Sequence, residues 1–220
     1  MAFRDRFEDF AEAQAAVILS PLFPVGVSGD DNADGYKYLV EPGVRYDQIL
    51  LAMVAEVEAR WQIAAPRFGL FGFSGGAQFA NRFLLLQPQH LWAASLGAPG
   101  SVTLLSERWD WWVGVRDLPA CLGVALDRAA LQRVPVQTLV GAADLDTAEI
   151  THRSDGRYWM AGANIAGATR PERLEALRQS LVSAGVAVSH EVISDVGHDP
   201  WPIIERAKAF LARKLAALRG

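Results

Sequence analysis

Cysteine is nearly absent. Cys121 stands alone in 220 residues, which excludes an internal disulfide and any cysteine-rich zinc site. Its setting, Leu118-Pro119-Ala120-Cys121-Leu122-Gly123, is apolar and predicts a buried structural thiol rather than a nucleophile. Long hydrophobic runs are missing as well. The most apolar stretch, 15–27, is broken by Pro21, Pro24 and Gly26 and falls short of the roughly 20 residues that span a bilayer, so no membrane partner is expected. Positive charge is not in excess: 21 Lys and Arg against 25 Asp and Glu leave a net charge of −4. No basic stripe is available for phosphates, which argues against a nucleic-acid partner. Residues 1–10 are charged throughout and do not read as a secretory leader. The cytoplasm is therefore the expected compartment.

What is present is apolar and regularly interrupted. A hydrophobic content of 51% supplies a sizeable core, and with no repeat, low-complexity tract or linker, 1–220 reads as one domain. Phe3, Phe7, Phe10 and Ala11 recur at helical spacing and predict an amphipathic helix over 4–14. The short run 15–20, stopped by Pro21, predicts a buried strand. A polar, glycine-rich loop over 26–42 precedes a helix over 46–61. Apolar runs predict strands over 66–73, 91–96, 134–140 and 186–193, and helical spacing predicts helices over 78–87, 171–184 and 202–218. A tryptophan-rich insert, 101–133, interrupts the alternation. Strands that alternate with helices and read as continuous apolar runs make an α/β fold: a mostly parallel sheet between two helical layers.

One strand carries chemistry at its end. Gly69-Leu70-Phe71-Gly72-Phe73-Ser74-Gly75-Gly76-Ala77 is an apolar run closing in Gly-x-Ser-x-Gly before a helix, the form of a nucleophile elbow. The sharp turn lifts the Ser74 hydroxyl out of the sheet. Gly72 and Gly76 are expected to be glycine because a Cβ at either would strike the neighbouring strand or helix. The backbone N–H of Gly75 would face a developing oxyanion, and the following helix would present its positive end to the same spot.

A serine hydroxyl needs a base, and a histidine base needs a carboxylate to fix its tautomer. In a parallel α/β sheet both belong in loops at the carboxyl ends of strands. Leu139-Val140-Gly141-Ala142-Ala143-Asp144-Leu145-Asp146 is one such loop, with Asp144 the first choice of acid and Asp146 the fallback. Ser194-Asp195-Val196-Gly197-His198 is another, in which Gly197 is expected to allow a tight turn and His198 projects just before the last helix. His90 lies in a connection, His152 in the stretch after the acid loop and His190 inside a strand; all three are worse placed.

In its elbow, its acid loop, its Val-Gly-His loop and the order Ser74, Asp144, His198, the chain resembles the α/β-hydrolase superfamily and looks like a small bacterial esterase-type member. That resemblance implies hydrolysis of a small-molecule carboxylic ester through a Ser-His-Asp triad and an acyl-enzyme intermediate, with no metal or organic cofactor. It also implies that the insert 101–133 caps the active site. One departure stands out. The family's first strands and the His-Gly motif that supplies a second oxyanion N–H have no counterpart here. Either the form is abbreviated at its N-terminus, or Ser20-Pro21-Leu22-Phe23 takes the vacant place and Leu22 or Phe23 offers the N–H. An abbreviated sheet would leave an edge beside the elbow strand, through which two copies could pair. It would also allow a second reading, a catalytically weak domain that binds a ligand or partner.

Trp109 and Trp112 in the insert, and Trp201 after His198, are weaker candidates for a substrate pocket; they could equally pack the cap or staple the last helix. Tyr36, Tyr38 and Tyr46 are weaker still. Asp30, Asn32, Asp34, Gly35 and Glu41 fall at calcium-loop spacings. However, proline and glycines before them and Pro42-Gly43 after them exclude the flanking helices. The segment reads as a turn, and no metal is expected.

Overall fold

The computed structural model describes residues 2–220, with the side chain of residue 2 excepted. Met1 lies outside the described residues. Four strands form the main sheet: β1 (Phe68–Phe73), β2 (Leu91–Gly97), β3 (Val136–Gly141) and β4 (Val188–Ile193). They lie in sequence order, and every neighbouring pair is parallel. The register aligns Phe73 with Gly97 and Gly141 with Ile193, so the strand ends that carry the candidate loops open on one edge of the sheet.

Helices cover both faces. On one face α2 (Tyr46–Trp61), α3 (Gly75–Leu86) and α4 (Arg170–Ser183) bury Leu50, Phe83, Leu84, Leu174 and Leu177 against Leu96, Val136 and Val140. On the other face α1 (Glu8–Gln14) and α5 (Pro200–Arg219) bury Phe10, Ile204 and Phe210 against Ala93 and Phe71. Helix α4 starts at a full capping box, in which the Thr169 hydroxyl accepts from the Glu172 N–H and the Glu172 carboxylate accepts from the Thr169 N–H. Helix α5 starts at Asp199, which accepts from the Trp201 N–H and so fixes where the chain leaves the His198 loop.

The run 15–20 corrects the sequence reading. It belongs to no sheet, and Ala15 at its start is in the left-handed region. Ala16 and Ile18 pack on the cluster around Phe71, while Val17 is half exposed. An apolar run becomes a strand only when another strand accepts its hydrogen bonds, and here none does. Among the described residues β1 therefore pairs only with β2 and forms an edge of the sheet. The N-terminal helix also differs: it is split into Ala2–Asp5 and α1 around Arg6 and Phe7. The loop 26–42 contains a short helix, Gly35–Tyr38, and a two-stranded ribbon of Val40–Glu41 and Val44–Arg45 follows from its end. Among the described residues no helix is long and apolar enough to cross a membrane.

Candidate active site

Ser74 sits between β1 and α3 with φ 53° and ψ −116°, a conformation that costs a non-glycine residue of order 1–3 kcal/mol. Its surroundings hold it there. The Ser74 N–H donates to the Gly97 carbonyl at 2.8 Å, and its own carbonyl accepts from Ala77 and Gln78 at 3.0 and 3.1 Å. Gly72 must be glycine, because the Gly76 carbonyl fills the place where a Cβ would stand. Gly76 itself corrects the sequence expectation: a Cβ there meets nothing within 4 Å. The close approach is one-sided, and Gly72 alone makes it.

The other two loops meet this elbow. His198 Nε2 lies 3.0 Å from Ser74 Oγ, and His198 Nδ1 lies 2.7 Å from Asp144 Oδ2. The imidazole also stacks on Phe73, with ring centroids 4.7 Å apart, so its plane is fixed from a third side. Asp144 is 2% exposed, and its second oxygen accepts from Arg170 Nη1 at 3.1 Å. The acid and histidine loops are locked together through Ala143 N–H to the Val196 carbonyl, 2.8 Å. A Cβ on Gly141 would strike the Val196 and Gly197 carbonyls, so Gly141 permits this approach. The tight turn does not come from Gly197, which has open space around it; the residue with positive φ is Asp195, at 59°.

The remaining acids and histidines lie elsewhere. Asp146 caps a turn by accepting from the Ala148 N–H at 2.8 Å. His190 bonds Thr138 Oγ1 at 2.9 Å on the sheet, and His90 closes a single helical turn after α3. Arg170 is a member of the site that sequence reasoning missed. It lies 26 residues from Asp144, and only the paired start of α4, Thr169 and Pro171, marked its position.

A cavity of about 500 Å³ lies one turn along α3 from the serine, where Gln78 lines it together with Lys37, Tyr38, His152, Tyr158 and Trp159. Its walls are polar and aromatic, and its cations are matched by anions: Lys37 pairs with Asp34 and Arg157 with Asp30, both at 2.5 Å. Trp109, Trp112 and Trp201 are not among its lining residues. Trp112 is buried against Tyr38, His152 and Arg82 and donates to the Tyr158 carbonyl at 2.9 Å. Trp109 packs with it in the same small core. Trp201 contacts Phe3 and Arg6. The tryptophan that faces the cavity is Trp159, which nothing in its sequence context singles out.

Burial, and the nearby Arg173 and Arg82 charges, lower the His152 pKa from 6.5 to about 4. The unfolded chain therefore takes up this proton more readily than the folded one. The stability involved is fully present above pH 6.5 and is lost as the pH falls toward 4. With the ring partly open to solvent, the effect is at most about 2 kcal/mol. The melting temperature is expected to fall between pH 7 and pH 4.5, and more steeply for the wild type than for His152→Gln. Parallel slopes in differential scanning calorimetry would contradict this.

The acidic segment near the cavity is already engaged. Glu41, 6% exposed, accepts from Tyr46 Oη at 2.5 Å and Asn32 Nδ2 at 2.7 Å. Asp30 and Asp34 pair with the cations named above. No group of three or more His, Cys, Asp or Glu side chains could hold a metal ion among the described residues. Cys121 corrects its expectation: it is exposed, because the five-residue helix Leu118–Leu122 turns Leu118 into the core and the thiol outward. Partial desolvation and the Asp117 charge raise its pKa, the opposite of what an activated thiolate needs.

Several solved structures resemble this one. LpqC, a poly(3-hydroxybutyrate) depolymerase from Bordetella parapertussis, superposes with a TM-score of 0.74 at 20% identity, over 99% of this chain and 79% of that one. Poly(aspartic acid) hydrolase-1 from Sphingomonas sp. KT-1 gives 0.74 at 19% identity, over 96% and 82%. An S-formylglutathione hydrolase from Agrobacterium tumefaciens gives 0.56 at 15% identity, over 97% and 77%. No family model matches the chain, and no curated protein matches it by sequence. At these identities the likeness establishes the fold, and the chain has the α/β-hydrolase fold.

Proposed function

We propose that the protein is a serine hydrolase acting on a carboxylic ester. The observation that carries this reading is the continuous relay from Ser74 Oγ through both ring nitrogens of His198 to Asp144, at 3.0 and 2.7 Å, on a strand-to-helix elbow. The activities that the structural neighbours are named for, depolymerase and hydrolase, point the same way.

In this reading His198 Nε2 accepts the Ser74 proton as Oγ attacks the ester carbonyl. Asp144 holds Nδ1–H and stabilises the imidazolium that results. The tetrahedral oxyanion accepts from the Gly75 N–H at the positive end of α3. His198 then gives its proton to the leaving alcohol, and the same histidine activates water to release the acid from the acyl-enzyme. All the groups required are side chains or amides of this chain.

A p-nitrophenyl ester tests the proposal. Rapid mixing is expected to show a burst of nitrophenol close to one equivalent of enzyme, followed by slower turnover, and Ser74→Ala abolishes both. A linear trace at the rate of the buffer blank would contradict it.

A second reading, a domain that pairs with another copy without turning over substrate, is favoured by one observation: the unpaired side of β1. Sedimentation equilibrium of an inactive protein as a dimer would support it. An active monomer would remove it.

A further inference from the structure

The elbow supplies one oxyanion donor, the Gly75 N–H, and ester hydrolysis by this route works best with two. Neither Leu22 nor Phe23 lies on a strand beside β1, and Leu22 is 90% exposed. What stands against Gly75 is a side chain from the short helix Gly35–Tyr38. The place that a Cβ of Gly75 would occupy lies 2.6 Å from Tyr36 Oη and 2.9 Å from Lys37 Cε. A Cβ at Gly75 would therefore crowd the Tyr36 hydroxyl and the Lys37 stem.

Three features make this hydroxyl a donor in waiting. Tyr36 Oη makes no hydrogen bond with any described residue, whereas the neighbouring phenols are engaged: Tyr38 with His152, Tyr46 with Glu41 and Tyr158 with Asn32. Its ring is held in place by Phe23, stacked at 5.7 Å, and Phe23 in turn packs on Phe79 of α3 at 5.0 Å. The turn that bears it is tied to the same helix, because buried Arg82 donates to the Lys37 carbonyl at 2.6 Å. The phenol and the Gly75 amide are therefore carried by one rigid unit. Burial raises the Tyr36 pKa further, so the group keeps its proton.

We propose that Tyr36 Oη is the second oxyanion donor, giving a hydrogen bond to the carbonyl oxygen of the substrate as it becomes tetrahedral at Ser74. The assignment rests on the serine-hydrolase reading. The phenol donates a hydrogen bond and does not transfer its proton, so it returns unchanged after each half-reaction. It would do the work that a backbone N–H does in the resemblance described above. In this assignment Phe23 serves by positioning the donor.

The test compares wild type with Tyr36→Phe on a p-nitrophenyl ester, and measures inhibition by a trifluoromethyl ketone, whose hemiketal imitates the oxyanion. Tyr36→Phe removes only a hydroxyl that bonds nothing in the protein, so the melting temperature is expected to stay within about 2 °C. The expected result is a kcat lowered by about 10²-fold with KM within twofold, and a matching loss of affinity for the ketone. A purely structural role would lower the melting temperature and would not single out the ketone. Gly75→Ala, which has to push the phenol aside, is expected to lose rate similarly. An active wild type with Tyr36→Phe within threefold in kcat overturns the assignment alone. A wild type that neither turns over ester nor binds the ketone overturns the hydrolase reading and the assignment with it.

Discussion

Asp144→Asn is expected to lower kcat for ester hydrolysis by about 10⁴-fold with little change in KM. The carboxylate accepts from His198 Nδ1 at 2.7 Å, which keeps the proton on Nδ1 and leaves Nε2 free to accept from Ser74. An asparagine can turn its NH2 toward the ring. Nδ1 then becomes the acceptor, Nε2 carries the proton, and the base points its hydrogen at the nucleophile it should deprotonate. Substrate contacts are untouched, so binding is spared. The same substitution leaves Arg170 without its buried counter-ion. Arg170 is 3% exposed and its remaining carboxylate partner, Glu149, stands at 3.3 Å on the surface. A loss of about 1–3 kcal/mol in stability is expected alongside. Stopped-flow kinetics and thermal melts on the same preparation separate the two effects. A variant within tenfold of wild type in kcat would mean that Asp144 does not set the tautomer.

Arg82→Met is expected to destabilise the fold by about 3–5 kcal/mol, lowering the melting temperature by roughly 6–20 °C for a chain of this size. Arg82 is fully buried in α3 and faces no carboxylate among its hydrogen-bond partners. Burial lowers its pKa to about 10, so it is still charged at neutral pH. That charge is accommodated by donation to the Lys37 carbonyl, Ser101 Oγ and Thr103 Oγ1 at 2.6, 2.9 and 3.1 Å. It also lies over the faces of Tyr38 and Trp112, 4.6 and 5.0 Å from the ring centroids. Methionine fills much of the volume but strands three acceptors and the insert that Thr103 and Trp112 belong to. Arg82→Lys is expected to rescue little, since an ammonium cannot reach three acceptors in the planar fork that guanidinium provides. Activity should fall with stability, because the Lys37 carbonyl anchors the turn that bears Tyr36. A melting point within 2 °C of wild type for Arg82→Met would contradict this view of the insert.

The three loops that bring Ser74, Asp144 and His198 together were legible because each is written locally. Ser74 announces itself through four neighbours, and Asp144 and His198 follow strands whose apolar runs end sharply. The four strands and the closing helix were legible for the same reason. The run 15–20 was misread because its composition suits a strand, whereas becoming one depends on a partner elsewhere in the chain. Gly76 and Gly197 were misread because a glycine next to a motif looks obligatory. The demand for space falls on Gly72, as expected, and on Gly141, and the positive φ falls on Asp195. His152, Trp159 and the contact of Tyr36 with Gly75 left no local mark, and Arg170 left none beyond the helix start at Thr169 and Pro171. Each owes its role to what the fold sets against it, and a polar residue with an ordinary sequence context gives no sign of that.

The central claim is that Ser74 is an activated nucleophile. A fluorophosphonate probe measures this most directly, with the adduct located by mass spectrometry in wild type, Ser74→Ala and His198→Ala. One equivalent of label on Ser74, absent in Ser74→Ala and formed far more slowly in His198→Ala, is the expected result. Folded wild-type protein that takes up no label, or label on another residue, would contradict it.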